Sequence, residues 1–284
     1  MFVVAGVTGH TGKVVAETLL AQSLPVRVIV RDAKKGEAWK ARGAEVALAE
    51  VKDVKAMTQA LRGATGAYLL SPPAMEVTDL PKHATELAAA LKAAITESGV
   101  KHVVFLSSIA AHVPSGTGPI VSVHIIEQAF KDLQAHVTFL RAGYFMENLL
   151  GSLHPMKEQG VLPAMFDAQR KLEMVATADI GAVAAELLRA GASAPKVVEL
   201  SGPTPSTLTD AAKAFSAALK KPINLAPVPA VAQVDVLKGV GLPETWAKAY
   251  AEMNAAVEAN RLVFEGTPRR GLITLEQFVA RSVN

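Results

Sequence analysis

The chain has 284 residues, half of them hydrophobic, so it can bury a sizeable core in one large α/β domain or in a domain with a smaller lobe. It has no cysteine, which excludes disulfides, thiolate metal ligands and a thiol nucleophile and fits a reducing compartment. Its 29 basic and 26 acidic residues leave a net charge of +3 without a basic block, which argues against a nucleic-acid partner.

The sequence carries no recognisable secretion or membrane signal. No basic segment precedes a cleavable apolar one, and no apolar stretch reaches the roughly twenty residues that cross a bilayer. We therefore expect a soluble, cytoplasmic protein without a membrane span.

The first residues, MFVVAGVTGHTGKVV, predict a buried strand, a glycine-rich turn and a helix, and a second strand follows at 25–32. Strands are then predicted at 44–51, 66–73, 101–108 and 136–143, and helices at 54–62, 81–98 and 119–134. Strands that alternate with helices indicate βαβ units. The sequence therefore predicts an α/β fold in which helices cover both faces of a parallel sheet.

Three glycines occupy the first turn from strand to helix. In a parallel sheet this turn brings backbone N–H groups and a helix N-terminus to one point, which attracts a pyrophosphate. Gly6 permits the tight turn, Gly9 lets the backbone approach the phosphate, and Gly12 lets the helix pack on the strand. Thr8 and Thr11 can donate from their hydroxyls or cap the helix. An ordinary turn is the alternative, but the flanking strand and helix favour a dinucleotide.

The end of the second strand indicates which dinucleotide binds. A basic side chain there would bind the 2′-phosphate of NADP(H), whereas an acidic one would bind the ribose hydroxyls of NAD(H). Arg31, followed by Lys34 and Lys35, favours NADP(H). In the alternative, Asp32 is the ribose ligand and Arg31 a surface charge, so NAD(H) stays open.

Five strings of sequence, in order along the chain, carry a family resemblance: GVTGHTG (6–12), FLRAGYFMENLL (139–150), ATADIGAVAAELL (176–188), VVELSGPTPSTLTDAAKAFSAAL (197–219) and ITLEQFVARSV (273–283). They resemble the NmrA-like family of atypical short-chain dehydrogenases/reductases over nearly the whole chain. The resemblance implies a Rossmann-type, doubly wound parallel sheet with a smaller, discontinuous C-terminal lobe and a substrate cleft between them. The NAD(P)-binding domain would span 1–150 and the substrate-binding lobe mainly 151–284, with 176–202 returning to the first domain.

The resemblance also implies which residues contact the cofactor. The family's phosphate loop falls on Gly6, Thr8, Gly9, His10, Thr11 and Gly12, and its 2′-phosphate contact on Arg31, with Lys35 nearby. Its acidic position beside the adenine falls on Glu50, and by their place at the end of the third strand Glu50 and Val51 both border that ring. Further residues expected along the cofactor are Ser71, Pro72, Ser107, Ser108, Gly143, Tyr144 and Phe145.

One feature of many short-chain dehydrogenases is missing. Their Tyr-x-x-x-Lys pair transfers a proton alongside the hydride. Aligning the chain on Glu127 puts Val123 at the lysine position and Pro119 at the tyrosine position. This argues against epimerase or ordinary alcohol dehydrogenase activity. His124 and Tyr144 are the remaining candidate proton donors, with a structural histidine and a pocket-wall tyrosine as the alternatives.

The last third of the sequence is expected to build the substrate side. Asp179 is expected to cap a helix at 180–190 rather than act as a base. Trp246, Tyr250 and Met253 face the same way on a helix within 243–263, a stripe that usually belongs to a core. Six apolar residues are expected either to line a pocket or to form the core of the lobe: Leu149, Leu150, Leu153, Met156, Met165 and Phe166.

We therefore expect an NADPH-dependent reductase that transfers a hydride to a small, apolar, electron-poor acceptor such as a quinone. Such a reaction relies on positioning and needs no Tyr-Lys pair. The alternative is a non-catalytic NADP(H)-sensing protein that acts on a protein partner. The histidines lack metal-ligand spacing and no G-x-S-x-G motif occurs, so neither a metal site nor a hydrolase is expected. The physiological acceptor and the oligomeric state stay open.

Overall fold

A computed structural model describes residues 1–283 and contains twelve strands in the described chain. In chain order the strands are β1 (Phe2–Val4), β2 (Val26–Val30), β3 (Glu45–Leu48), β4 (Gly66–Leu70), β5 (His102–Ser108), β6 (His136–Ala142), β7 (Tyr144–Phe145), β8 (Val161–Ala164), β9 (Met174–Val175), β10 (Val197–Ser201), β11 (Asn224–Pro227) and β12 (Arg269–Arg270).

Helices connect nearly all of these strands. They are α1 (His10–Ala21), α2 (Ala33–Ala41), α3 (Val54–Leu61), α4 (Leu80–Ser98), α5 (Ile120–Phe130), α6 (Leu153–Gln159), α7 (Thr177–Ala190), α8 (Leu208–Leu219), α9 (Gln233–Gly239), α10 (Glu244–Glu258) and α11 (Leu275–Val283). No helix among residues 1–283 has both the length and the apolar character needed to cross a membrane.

Eight strands form one parallel sheet in the order β12-β10-β6-β5-β4-β1-β2-β3. The order reverses at β1, because β2 and β3 lie on one side of it and β4, β5 and β6 on the other. This reversal is the topological switch point at which doubly wound sheets bind ligands. The predicted α/β fold with a parallel, doubly wound sheet is confirmed.

The central strands are mostly apolar because helices cover both faces of the sheet. Val4 and Tyr68 belong to a core shared with α1 and α7. Val3 and Leu69, one residue away along the same strands, belong to a second core shared with α3, α4 and α5. Successive residues of a strand point to opposite faces, so one apolar run supplies both cores.

Several local features differ from the expectations. The polar helix α2 follows β2 and is capped by Asp32. Helix α5 ends at Phe130 rather than at residue 134. Helix α7 begins at Thr177, so Asp179 lies inside its first turn and does not cap it. Instead, Glu147 accepts a hydrogen bond from the Thr177 N–H at 3.0 Å, whereas Asp179 accepts the N–H groups of Leu272 and Ile273 at 3.0 and 2.9 Å.

Residues beyond 150 divide between the sheet and a smaller layer. Helix α7 and strand β10 join the large sheet, as does β12 near the chain end. The remaining segments pack into a third core, built on α8, α11 and the β8–β11 pair. Leu149 and Met156 are buried in this core, and Leu150, Leu153 and Phe166 pack against it. Leu149, Leu150, Leu153 and Met156 therefore belong to the core of the lobe, the second of the two expectations, whereas Met165 and Phe166 also line a separate cavity beside α9 and α10.

Candidate functional site

The glycine turn after β1 has the geometry that was expected of it. The Gly9 N–H donates to the Gly6 carbonyl at 2.9 Å, and Gly6 has a φ of 70°, in the region that favours glycine. A Cβ on Gly12 would lie 2.6 Å from the carbonyl oxygen of Gly6 and would clash with the Ala5 carbonyl. The first turn of α1 can therefore pack directly on the end of β1 only because residue 12 is glycine.

The N-terminus of α1 is free to receive an anion. Its N-cap is Gly9, and no side chain among residues 1–283 caps the helix, so of the two roles open to Thr8 and Thr11, donor or cap, capping is not observed. Thr11 is buried, and its hydroxyl oxygen accepts a hydrogen bond from Tyr68 at 2.9 Å. Thr8, Gly9 and His10 are exposed. Uncapped N–H groups next to an open glycine turn fit a diphosphate.

An exposed cation, Arg31, directly follows β2. Arg31 is exposed and makes no side-chain hydrogen bond or ion pair with another of residues 1–283. Asp32, the alternative ribose ligand, accepts the Lys34 N–H at 2.9 Å and caps α2. Lys35 is also exposed. Because Asp32 is already engaged with its own helix, the arrangement favours Arg31 as the group that meets a ribose phosphate.

The other cofactor candidates lie at the same edge of the sheet. Strands β2, β1, β4, β5 and β6 are consecutive neighbours, so their carboxyl ends span about 19 Å at the usual strand spacing of about 4.8 Å. Glu50 is exposed and Val51 half-buried beyond β3, and Ser71 and Pro72 are half-buried beyond β4.

Serines 107 and 108 have different environments at the end of β5. Ser108 lies opposite Ala142 of β6 and faces a cavity at the carboxyl edge. The Ser107 hydroxyl instead donates to Glu127 at 2.6 Å, and Glu127 is paired with Arg141 at 2.7 Å. All three side chains of this network are buried. The expectation that both serines would face the nicotinamide is therefore wrong for the Ser107 side chain, which points to the opposite face of the strand.

A cavity of about 280 Å³ lies between this edge and α10. Its lining is mostly apolar and comes from the end of β5, from α5, from β7 and from the lobe. The lining residues are Ser108, Ile109, Pro119, Ile120, Val123, Gly143, Tyr144, Phe145, Asn148, Leu172, Glu173, Tyr250, Met253, Val257 and Leu262. A cavity of this size and character suits a small, apolar molecule of one or two rings.

Helix α5 presents to the cavity the two residues that replace the Tyr-Lys pair. Pro119 and Val123, four positions apart, both line it. His124, one position further, is not among the lining residues, and its Nδ1 lies 2.8 Å from the Ala111 carbonyl oxygen. Of the two expectations for His124, a proton donor or a structural histidine, this hydrogen bond supports the second.

Tyr144 is the sequence-predicted proton donor that lies in the cavity. Burial raises the pKa of Tyr144 to about 12; nearby Tyr250 adds to the shift, and a hydrogen bond with Asn148 opposes it. Burial also raises the pKa of Tyr250. Both phenols therefore keep their protons at neutral pH and can donate hydrogen bonds.

The lobe contributes residues that were not assigned to the site from the sequence. Tyr250, Met253 and Val257 of α10 line the cavity, together with Leu172 and Glu173. The helical spacing of the apolar residues on α10 could be recognised in the sequence, but that spacing does not show which core or cavity they face. Among residues 1–283, no three His, Cys, Asp or Glu side chains form a group that could hold a metal ion.

Comparison with known proteins identifies the relatives of the chain. Residues 1–277 match the NmrA-like family. An NAD(P)H azoreductase from Xenophilus azovorans is 28% identical over 261 residues, which cover 90% of this chain and 86% of that protein. Quinone oxidoreductase 2 from Escherichia coli is 31% identical over 268 residues, which cover 92% of this chain and 90% of that protein.

A solved structure agrees with these matches. The crystal structure of the NADPH-dependent quinone oxidoreductase QOR2 from Escherichia coli, complexed with NADPH, has a TM-score of 0.85 at 27% identity, with full coverage of both chains. The family resemblance seen in the sequence is thus confirmed, and the chain belongs to the NmrA-like family.

Proposed function

We propose that the chain is an NADPH-dependent reductase that transfers a hydride to a small, flat, electron-poor acceptor such as a quinone. The observation that carries the proposal is the apolar cavity of about 280 Å³ at the carboxyl edge of β5 and β6, on the sheet edge that also carries the glycine turn. Two protonated phenols are among the few polar groups in it. The sequence similarity to an NAD(P)H azoreductase and a quinone oxidoreductase also supports a reductase.

The proposal assigns the cofactor to the sheet edge. When bound, NADPH supplies the hydride. The open N–H groups from His10 to Gly12 hold the diphosphate, with Gly6, Thr8 and Gly9 around it. Arg31 and Lys35 bind the 2′-phosphate, and Glu50 and Val51 border the adenine. The nicotinamide side is flanked by Ser71, Pro72, Ser108, Gly143, Tyr144 and Phe145.

The protein positions the acceptor, surrounds it with an apolar surface and supplies a hydrogen-bond donor. The apolar walls formed by Pro119, Val123 and Ile120 exclude water from the acceptor and hold it flat. Reduction of a quinone to the hydroquinone consumes one hydride and one proton. The Tyr144 hydroxyl donates a hydrogen bond to the acceptor oxygen that gains charge, and solvent supplies the proton that completes the product. No Tyr-Lys relay is needed, because the acceptor itself delocalises the added charge.

Partner and location belong to the same proposal. We assign a small-molecule acceptor as the partner and the cytoplasm as the site of action, which agrees with a chain that has no cysteine. The segment 1–150 with 176–202 would then carry the cofactor, and the rest of 151–284 would close the acceptor cavity.

The test is NADPH oxidation by the purified chain with a panel of benzoquinones and naphthoquinones, followed by loss of the absorbance of the reduced cofactor. Turnover with at least one quinone is expected, with NADPH preferred to NADH. Tight NADPH binding by calorimetry without turnover of any acceptor would contradict the reductase and favour the NADP(H)-sensing protein instead.

A further inference from the structure

Tyr250 is a polar group in the acceptor cavity to which the proposed mechanism assigns no role. Its side chain lines the cavity together with Met253, Val257 and Leu262 of the lobe. Its hydroxyl forms no hydrogen bond with any of residues 1–283, whereas the Tyr144 hydroxyl is held by Asn148. A partly desolvated phenol among apolar neighbours is costly unless water or a ligand accepts its hydrogen bond.

We propose that the Tyr250 hydroxyl binds a carbonyl oxygen of the acceptor and so selects quinones over flat acceptors without carbonyl groups. The inference rests on the proposed function and deepens it. A quinone has two carbonyl oxygens, and the lining of the cavity has two phenols, Tyr144 and Tyr250. Tyr144 donates a hydrogen bond to the oxygen that gains charge first, and Tyr250 donates one to the other oxygen.

Trp246 is the positioning residue for Tyr250. The two rings lie one helical turn apart on α10, with centroids 6.0 Å apart and an angle of 36° between their planes. Trp246 is 9% exposed, and its Nε1–H donates to the Ala74 carbonyl at 3.0 Å. A buried ring fixed at its far end by a hydrogen bond restricts the rotamers open to Tyr250.

The same hydrogen bond joins the acceptor site to the cofactor side. Ala74 belongs to the loop that leaves β4 through Ser71 and Pro72, the residues that the proposed function places along the cofactor. A dinucleotide in contact with Ser71 and Pro72 would act on the loop whose Ala74 carbonyl holds Trp246 and, through it, Tyr250. NADP(H) and quinone should therefore bind with positive coupling, which is reciprocal by thermodynamic necessity.

The first test compares Tyr250→Phe with the wild-type chain. The variant should raise the KM and the Kd for 1,4-naphthoquinone about threefold to tenfold, the value of one hydrogen bond, and leave the Kd for NADPH unchanged. Quinone binding is read without turnover, in the presence of NADP⁺, from quenching of Trp246 fluorescence. The measurement is made in a Trp39→Phe background, which removes the emission of the second of the two tryptophans. Trp39 lies in α2, outside the cavity.

The second test asks whether Trp246 acts through Tyr250. Trp246→Phe keeps a ring but loses the hydrogen bond to Ala74, so it should raise the quinone KM with little change in kcat and weaken the coupling between NADP⁺ and quinone measured by calorimetry. The double variant Trp246→Phe/Tyr250→Phe should lose no more quinone affinity than Tyr250→Phe alone. A purely structural tryptophan would instead give additive losses.

The outcomes separate the inference from the proposed function. If the wild-type chain reduces quinones and Tyr250→Phe binds and reduces them equally well, the inference is overturned and the reductase stands. If the wild-type chain binds NADPH but neither binds nor reduces any quinone, both are overturned. Equal losses for naphthoquinone and for the N-methylquinolinium cation, a flat two-ring hydride acceptor without a carbonyl group, would also overturn the assigned selectivity.

Discussion

The chemistry of Tyr144 is set by its surroundings. A phenol that must act as a base needs a lowered pKa, which a lysine and the cofactor ribose provide in enzymes with a Tyr-Lys pair. Here Val123 occupies the lysine position and burial raises the pKa of Tyr144 to about 12. The residue is therefore suited to donating a hydrogen bond towards an oxygen that gains charge, and unsuited to removing a proton from an alcohol. This direction agrees with reduction rather than oxidation.

Tyr144→Phe tests this role. Loss of the donor should lower kcat/KM for quinones about tenfold to a hundredfold and leave the Kd for NADPH unchanged. Because the folded pKa is about 12, the wild-type rate should not fall through ionisation of Tyr144 anywhere between about pH 6 and pH 10. Steady-state kinetics over this range check both statements. A fall in the wild-type rate above about pH 8 that disappears in Tyr144→Phe would contradict them.

Arg31→Ala tests the choice of cofactor. Removal of a charge-assisted contact to the 2′-phosphate should weaken NADPH binding about tenfold to a hundredfold and barely change NADH binding. Lys40→Ala is the matched control, because Lys40 is an exposed cation in the last turn of α2, away from the end of β2. Calorimetric Kd values for both cofactors measure the difference. Equal losses of NADPH and NADH with Arg31→Ala would refute the placement.

At the scale of elements, the close contact of α1 and α7 positions the phosphate site. A Cβ on Gly181 would lie 2.5 Å from the Val14 Cβ and 3.0 Å from the Thr11 carbonyl oxygen. The glycine therefore lets α7 approach the first turn of α1. Because the N–H groups of that turn are proposed to hold the diphosphate, the separation of two helices affects cofactor binding.

Gly181→Ala tests this packing. Either the two helices separate or Val14 leaves its rotamer, so the free energy of unfolding should fall by about 1 to 3 kcal/mol, and NADPH should bind more weakly as α1 shifts. Urea unfolding and calorimetry measure the two effects. Gly239→Ala is the control: Gly239 ends α9, and a Cβ added there would have no neighbour within 4 Å, so stability should stay equal or rise slightly. Equal effects of both substitutions would contradict the argument.

Over the whole molecule, the sequence predicted those parts that depend on local pattern. Strands such as β5 and β6 agree with the predicted bounds within one residue, because continuous apolar runs between turns have few alternatives. Helix α2 was not predicted, because its sequence AKKGEAWKA is polar and its apolar residues show only a weak helical spacing. The two-residue strand β12 depends on long-range pairing with β10, which no local pattern encodes.

The candidate site likewise has a part that local sequence predicted and a part that it did not. The glycine turn lies within a dozen consecutive residues, so its geometry could be predicted from spacing alone. The cavity could not, because Ser108 and Tyr250 meet only after the lobe folds onto the sheet edge. Ser107 was misassigned because a sequence position shows only that a residue is next to the site, whereas the strand pleat decides which way its side chain points.

Acid stability of the whole fold depends on a histidine buried between β5, β6 and α7. His102 is 2% exposed, and burial, with a smaller effect of neighbouring His136, lowers its pKa to about 4. The unfolded chain takes up a proton near pH 6.5, but the folded chain does so only near pH 4. Stability from this group is therefore complete above about pH 6.5 and is lost as the pH falls towards 4.

Urea unfolding at about pH 7.5 and about pH 5 measures this loss, which should be about 1 to 2 kcal/mol for the wild-type chain. His102→Gln should be less stable at the higher pH but lose less on acidification, since it has no proton to take up. His154→Gln, at an exposed position on α6, should behave like the wild type. The carboxylates with lowered pKa, among them Glu186 and Glu265, stay ionised in this window, so they cannot account for the difference. Equal acid losses for wild type and His102→Gln would show that another group controls the stability.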